Sequence, residues 1–506
     1  MGTGSKSNTT TTPTPTHGDR LASGSHHRVV IIGAGFAGLG MAIQCQQQGI
    51  SDWVLLEKAD DVGGTWRDNH YPNCQCDVPS NLYSFSFALK PDWSRSFGWA
   101  EEIHQYLQQC TQDFGLNPGI RFDSEVTAAQ WDDAGSCWRI TTADGWHCTA
   151  DVMVSGHGPL SAPAVPDIAG LDEFSGPVFH SAHWDHSVDL EGKKVAVIGT
   201  GASSVQIVPG IQPEVDELLV FQRSAPWVVP RPDRPVSERR KAIYRRFPAL
   251  QRLVRQAIYW SRELLVVPMA YRPSLLGAGE AQARAHLARQ VRDPELRAKL
   301  EPDYSMGCKR VLLSNDYYPA LAADNTSLVD ERIDKVGTGS ILTADGVEHE
   351  VDVIVLATGF HVTDHPMADR VRGRDGRTLN EHWSESQSAY LGTSVTGFPN
   401  MFMIIGPNTG LGHTSMIVMM EAQFAYILGA FDHMRRTGTE VIEVRPQVQR
   451  SFNEELQQKL DGTVWASGCA SWYLDDDGRN TTLWPDFTFR FRRRLARFDP
   501  GSYTQR

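Results

Sequence analysis

Residues 28–57, RVVIIGAGFAGLGMAIQCQQQGISDWVLLE, decide the fold. An apolar run, Val29–Ile32, enters GAGFAG at 33–38; a helix-compatible stretch follows to Gln48; after Gly49 a second apolar run ends at Glu57. Strand, glycine turn, helix and strand within about 30 residues form the setting in which G-x-G-x-x-G binds a dinucleotide. Gly33 permits the tight turn, Gly35 lets a pyrophosphate reach the backbone, and Gly38 allows close packing of helix on strand. The phosphates then meet the helix N-terminus, whose unpaired N–H groups and dipole favour negative charge. Glu57, at the end of the second strand, is placed to accept hydrogen bonds from an adenosine ribose. A carboxylate there repels a 2′-phosphate, so this site is expected to hold FAD or NAD, not NADP.

The same grammar returns at 193–204, KKVAVIGTGASS, and closes with ELLVFQR at 217–223. Thr200, Gly201, Ala202 and Ser203 make the turn, Ser204 stands where a third glycine is usual, and Gln206 follows on the helix. The closing strand leads into Gln222-Arg223-Ser224, with no acid. A guanidinium and a hydroxyl suit a 2′-phosphate by fixed charge and bidentate geometry, so the second site is expected to hold NADP. One site of each kind describes a flavoprotein reduced by NADPH.

Working outward, VMVSGHG (152–158) and VIVLATGF (353–360) are apolar strands ending in small-residue turns, and PLSAPAVPDIAG (159–170) reads as an interdomain hinge. The expected fold is α/β, with two Rossmann-type dinucleotide-binding domains and a helical insertion in the second. Residues 28–165 and 356–506 form the FAD domain, 166–355 the NADP domain, and Arg-, Glu- and Ala-rich 232–303 the insertion. Residues 1–27, rich in Thr, Gly, Ser and Pro without an apolar core segment, read as a disordered tail rather than a secretory signal.

The 506 residues are 41% hydrophobic and 21% charged, which excludes collagen-like, fibrous and fully disordered classes. A net charge of −12 argues against nucleic acid as a partner. Apolar stretches are interrupted before membrane-spanning length; the richest later one, IYWSRELLVVPMAY (258–271), carries Arg262 and Glu263. No transmembrane segment is expected. Eight scattered cysteines fit reduced thiols in a cytoplasmic enzyme, and no metal-ligand spacing occurs. Cys74 and Cys76 form C-x-C, the wrong spacing for a disulfide reductase.

Two stretches choose among flavoproteins with paired dinucleotide sites. FSGPVFHSAHWD (174–185), lying just before the second fingerprint, resembles the F-x-G-x-x-x-H-x-x-x-W-D signature of type I Baeyer–Villiger monooxygenases; oxygenases of nitrogen and sulfur typically carry an aromatic residue and Lys in place of Trp-Asp. GGTWRDNHYPNCQCD (63–77) resembles the family's G-G-x-W signature, with Asn73 where Gly is usual. CKRVLLSNDYY (308–318) and SWYLDDDGRNTTLWP (471–485) are similar to further family segments, so the resemblance runs from about Arg28 to Trp484.

The resemblance implies a reaction. NADPH reduces FAD, O2 adds at flavin C4a, and the peroxyflavin attacks a ketone, inserting oxygen to give an ester or lactone. It implies that Arg310 stabilises the developing anions and that Asp77 holds Arg310 and contacts the nicotinamide. Lys309 joins Arg223 and Ser224 on the 2′-phosphate; Gly64, Thr65, Trp66 and Tyr83 line or hold the flavin; Val126 lies near the adenine; Trp472 approaches NADP. Read without the family, Arg310 is a surface cation in a Lys-Arg pair and Asp77 a turn residue. His180 has no acid/base partner in the sequence and reads as a linker residue. The apolar insertion and GPNTGLGHTSMIVMME (406–421) suggest a hydrophobic ketone as substrate beside O2. Oxygenation of sulfides or amines and a non-catalytic dinucleotide sensor are the alternatives. Trp184, Asp185 and Arg310 argue against the first, and the intact glycine, Arg and Asp positions against the second.

Overall fold

The computed structural model describes residues 21–364, 366–469, 471–475 and 477–506. Strands β1 (Ser25–Ile32), β2 (Trp53–Leu56), β3 (Ile120–Arg121), β4 (Val126–Asp132), β5 (Cys137–Thr142) and β6 (His147–Ser155) build the first sheet with Val371–Arg372 and Met401–Met403. Its order is Val371–Arg372, β4, β5, β6, β1, β2, β3, with Met401–Met403 added beside β6. β1 lies parallel between β2 and β6, with Val30 beside Val54 and Met153. Both faces of β1 are covered, which is why it reads as an unbroken apolar run and not as an alternation.

Of the tail expected at 1–27, residues 1–20 lie outside the described residues. Its end needs correction, because Ser25–His27 already belong to β1 and pair with Cys148–Ala150. Backbone pairing recruits these polar residues, which composition assigns to a tail; His27 is 1% exposed.

Helix α1 (Phe36–Gln47) runs back from the first glycine turn along the sheet and buries almost its whole length. A Cβ at Gly40 would stand 2.5 Å from Phe424 Cζ, so the helix Met416–Thr437 crosses α1 at close range. The second sheet is wholly parallel: Thr326–Val329, β9 (Glu217–Phe221), β8 (Lys194–Ile198), Val353–Leu356, β7 (Val178–His180). Where the chain passes between the sheets, its two crossings run side by side. Ala164 N donates to Gly359 O at 2.9 Å and His361 N to Ala162 O at 2.9 Å, so the segment expected as a hinge is paired with the returning strand.

Residues 238–299 contribute the helices Glu238–Arg246, Pro248–Glu263, Leu276–Gln290 and Pro294–Lys299. Ser237 and Asp293 cap the first and last by accepting from the N–H groups of Arg240 and Glu295. The helix Pro248–Glu263 is turned against the usual rule. It buries Gln251, Arg255, Tyr259 and Glu263, spaced by four, and leaves Leu253 65% and Trp260 53% exposed. Each buried group finds a polar partner; Arg255 Nη1, for instance, donates to the carbonyls of Asn81 at 2.9 Å and Leu82 at 2.8 Å.

The expectation of reduced thiols fails at one pair. Cys308 and Cys469, 161 residues apart, are joined by a disulfide with Cα atoms 6.3 Å apart, because the late segment returns over the Lys309–Arg310 stretch. The other six thiols are free and buried. No helix among the described residues is long and apolar enough to cross a membrane.

Candidate functional site

At the end of β1, Gly33 takes φ +94°, and a Cβ there would lie 2.9 Å from Gly156 O. A Cβ on Gly38 would fall 1.8 Å from Gly33 O, so helix and turn touch through backbone alone. Gly35 is different: its Cβ would meet only Gly64 Cα, at 3.8 Å. Two glycine turns therefore face each other at the N-terminus of α1 and leave a cradle bordered by backbone, which fits a pyrophosphate. Glu57 is 4% exposed. Its Oε2 accepts from Ala34 N at 2.7 Å, and its Oε1 accepts from Ala59 N at 3.1 Å and Arg67 Nη1 at 3.0 Å. The carboxylate is thus fixed to the glycine turn and keeps lone-pair capacity for a ribose hydroxyl. Arg67 carries no signal in the sequence that marks this partnership.

Helix α2 (Thr65–Asp68) opens at Gly64, φ +51°. Trp66 Nε1 donates to the Tyr83 hydroxyl at 3.1 Å, and Tyr83 packs edge-on against Phe36 at 5.3 Å. Burial pushes the Tyr83 phenol well above its ordinary pKa, so it stays a neutral donor. Val126 opens β4, two residues beyond Ser124, whose N–H donates to Glu57 O at 2.8 Å. That puts Val126 at the same end of the sheet as Glu57.

In the second unit Gly199 takes φ +110°, with a Cβ position 2.4 Å from Ala357 O, whereas Gly201 has nothing within 4 Å. Gly201 and Ala202 are exposed, Ser203 precedes helix α3 (Ser204–Ile211) without a side-chain capping bond, and Ser204 is fully buried. Thr200 Oγ1 donates to Ser224 O at 3.0 Å, and Lys309 Nζ donates to Ser224 Oγ at 2.9 Å. Arg223 is exposed beside them, and neither cation has a carboxylate within ion-pair distance among the described residues. Burial and then the repulsion of Arg223 hold Lys309 below its ordinary pKa. Two unmatched cations and a hydroxyl form an anion site that fits a 2′-phosphate. Gln206, expected at a cofactor, clasps the 63–77 segment: its Nε2 donates to Gln75 O at 2.9 Å and its Oε1 accepts from Gln75 N at 3.1 Å.

Between the two units stands the pair the sequence could not see on its own. Arg310 Nε and Nη2 both donate to Asp77 Oδ2, at 2.8 Å and 2.5 Å. Arg310 Nη1 makes only a long contact of 3.4 Å to Leu411 O, which leaves that edge of the guanidinium available. Burial raises the Asp77 carboxyl, but Arg310, then Arg231 and Arg262, outweigh it and hold the group ionised below its usual pKa. Asp77, chiefly, raises Arg310 beyond the ordinary guanidinium value, so it keeps its protons. Arg231 Nη2 donates to Cys76 O, which fixes the backbone just before Asp77. Asn73 adopts φ +62°, the left-handed conformation that glycine takes freely and Asn tolerates, so the departure from the family pattern keeps the loop. Burial pushes the Cys74 thiol up to about 12 and the Cys76 thiol higher still, so neither is poised for thiol chemistry.

Arg310 and Asp77 line a cavity of about 310 Å³ with largely apolar walls. His413 and Thr414 also line it, and His413 Nδ1 and Thr414 Oγ1 are buried without a hydrogen-bond partner. Such orphaned atoms are what a wall built around a bound polar group presents. Trp472 is 46% exposed and packs on Tyr473, ring centroids 4.4 Å apart. It is Tyr473, 1% exposed, that feels Arg310 and Asp77, and no motif marks it beside its neighbour. His180 is buried, accepts from Ala182 N through Nδ1 at 3.1 Å, and has Nε2 unpaired. Burial holds its pKa down at about 4, so it is neutral and only weakly basic. Trp184 packs edge-on against Phe179 at 5.1 Å, a role in the core.

Residues 26–255 match the model of the flavin-binding monooxygenase-like family. A Baeyer–Villiger monooxygenase of Streptomyces coelicolor is 51% identical over 483 residues, covering 94% of this chain and 92% of its own. One of Pseudomonas aeruginosa is 48% identical over 495 residues, covering 97% and 93%. Among solved structures, OTEMO in complex with FAD and NADP superimposes with a TM-score of 0.86 at 28% identity, covering 95% of this chain and 99% of that one.

Proposed function

This chain belongs to the Baeyer–Villiger monooxygenases, and we propose that Arg310, held by Asp77, is the group on which its oxygenation of a ketone depends. It is an NADPH- and FAD-dependent enzyme of that family. The observation that carries the residue assignment is the guanidinium fixed through Nε and Nη2 by Asp77 on a residue that lines a largely apolar cavity.

We assign residues 28–165 and 356–506 to FAD and 166–355 to NADPH. Gly33, Gly35, Gly38 and Gly64 cradle the FAD pyrophosphate, Glu57 holds the ribose, Val126 borders the adenine, and Thr65, Trp66 and Tyr83 flank the ring. Thr200, Gly201, Ala202, Ser203 and Ser204 receive the second pyrophosphate, and Arg223, Ser224 and Lys309 the 2′-phosphate. Gln206 serves this site indirectly, through Gln75. Bound FAD supplies two-electron reduction by NADPH and activation of O2.

The protein's own part is electrostatic. As the ketone carbon becomes tetrahedral, its oxygen gains negative charge, and a fixed cation aimed at that charge lowers the barrier by several kcal/mol in a water-poor site. Arg310 can do this without giving up a proton. Asp77 fixes the guanidinium plane, and its second oxygen remains free to accept from the nicotinamide amide. The apolar walls take the hydrophobic part of the ketone. The test is product analysis over a panel of ketones with purified yellow protein: the expected result is one ester or lactone per NADPH consumed. Sulfoxide formation from a sulfide, with no ester from any ketone, would replace this reading with heteroatom oxygenation.

A further inference from the structure

The cavity lined by Arg310 holds a second guanidinium. Arg262, on the last turn of the helix Pro248–Glu263, lines the same wall as Val229, Leu265, Pro268, Met269, Met306 and Leu313. Among the described residues it makes no ion pair and no side-chain hydrogen bond, whereas its neighbours are committed. Asp77 is taken by Arg310. Glu263, the next residue, turns away to accept from Thr488 N at 3.0 Å and from Thr488 Oγ1, with His413 Nε2 at 3.4 Å. Asp77 and Arg310 offset each other, so the mostly apolar cavity carries one unmatched positive charge. A half-buried guanidinium facing apolar walls without a counter-charge is unfavourable. A planar carboxylate would meet it through two parallel hydrogen bonds. Burial already lowers the pKa of Arg262, and the pull of Asp77 offsets this only in part.

We propose that Arg262 is the specificity-determining residue of this pocket and that the preferred substrates are keto acids: an apolar body with the ketone at Arg310 and the carboxylate at Arg262. The inference rests on the Baeyer–Villiger reading and narrows its substrate class. The carboxylate is bound and takes no part in the chemistry, so its contribution falls on KM.

The test compares medium-chain oxo-carboxylic acids with their methyl esters, using holoenzyme, saturating NADPH and ester or lactone formation as the readout. The wild type should favour the acid by about 10- to 100-fold in kcat/KM, the scale of one hydrogen-bonded ion pair. R262L and R262Q should lose that preference through KM, convert the methyl esters within about threefold of wild type, and keep the KM for NADPH. Equal turnover of acid and ester by the wild type overturns the proposal without requiring any variant. Equal losses on both substrates, or a raised KM for NADPH, overturn it too, by giving Arg262 a structural or cofactor role. If no ketone, neutral or acidic, yields ester while NADPH is consumed, the Baeyer–Villiger reading itself fails. Conversion of neutral ketones without preference for acids sinks only the role of Arg262.

Discussion

Arg223 and Lys309 reach one point from different segments, and only Arg223 was legible from its strand-end position; Lys309 needed the family. If both cations hold one phosphate, as proposed, Arg223→Ala should raise the KM for NADPH by about 10- to 100-fold and leave that for NADH nearly unchanged. Steady-state kinetics with both cofactors checks this, and equal losses would remove Arg223 from the phosphate. His180 gives a prediction of another kind. Its folded pKa of about 4 lies below the unfolded value of 6.5, so the unfolded chain binds the extra proton between them. Stability at this site is therefore full above pH 6.5 and is lost as pH falls toward 4, by about 2–3 kcal/mol. His180→Asn should flatten that part of the profile in denaturant unfolding followed against pH. Arg310 and Asp77 mark the limit of reading single residues. They lie 233 positions apart, and nothing in Lys-Arg or in Cys-Gln-Cys-Asp announces that they meet.

At the scale of elements, the glycine turns were legible because their meaning is local: strand, turn and helix are adjacent in the chain. The coordinates separate their roles further. Gly38 is required by the protein, since a Cβ would overlap Gly33 O, whereas Gly35 has room within the protein, so the proposed FAD cradle alone would require it. Gly38→Ala should therefore cost about 3 kcal/mol or more and impair folding itself. Gly35→Val should fold yet purify without flavin colour. Far-UV circular dichroism beside the visible spectrum distinguishes the two, and a yellow Gly35→Val would misplace the FAD cradle. The helix Pro248–Glu263 was legible only as a helix. Which side it buries was not, because Gln251, Arg255, Tyr259 and Glu263 are accepted inside by partners from distant segments, and hydrophobic periodicity does not register such partners.

At the scale of the molecule, two sheets are joined by paired chain crossings and by contacts that converge on one loop. Gln206 grips Gln75, Arg231 grips Cys76, and Arg310 grips Asp77, so three residues of the second unit hold three consecutive residues of the first. The loop that carries Asp77 is positioned by the second unit, the one we assign to NADPH. The Cys308–Cys469 disulfide lies beside Lys309 and escaped the sequence reading, since eight scattered cysteines give no pairing.

Arg310 is assigned to the oxygenation and not to the assembly of the enzyme, and the Arg310→Ala variant separates the two. Anaerobic stopped-flow reduction should be paired with product analysis in air on the same preparation. The variant should retain FAD, still be bleached by NADPH without oxygen, and in air consume NADPH with release of hydrogen peroxide. Ester formation should fall by about 10²-fold or more. Near-normal ester yield, or a variant that no longer binds flavin, would contradict the account.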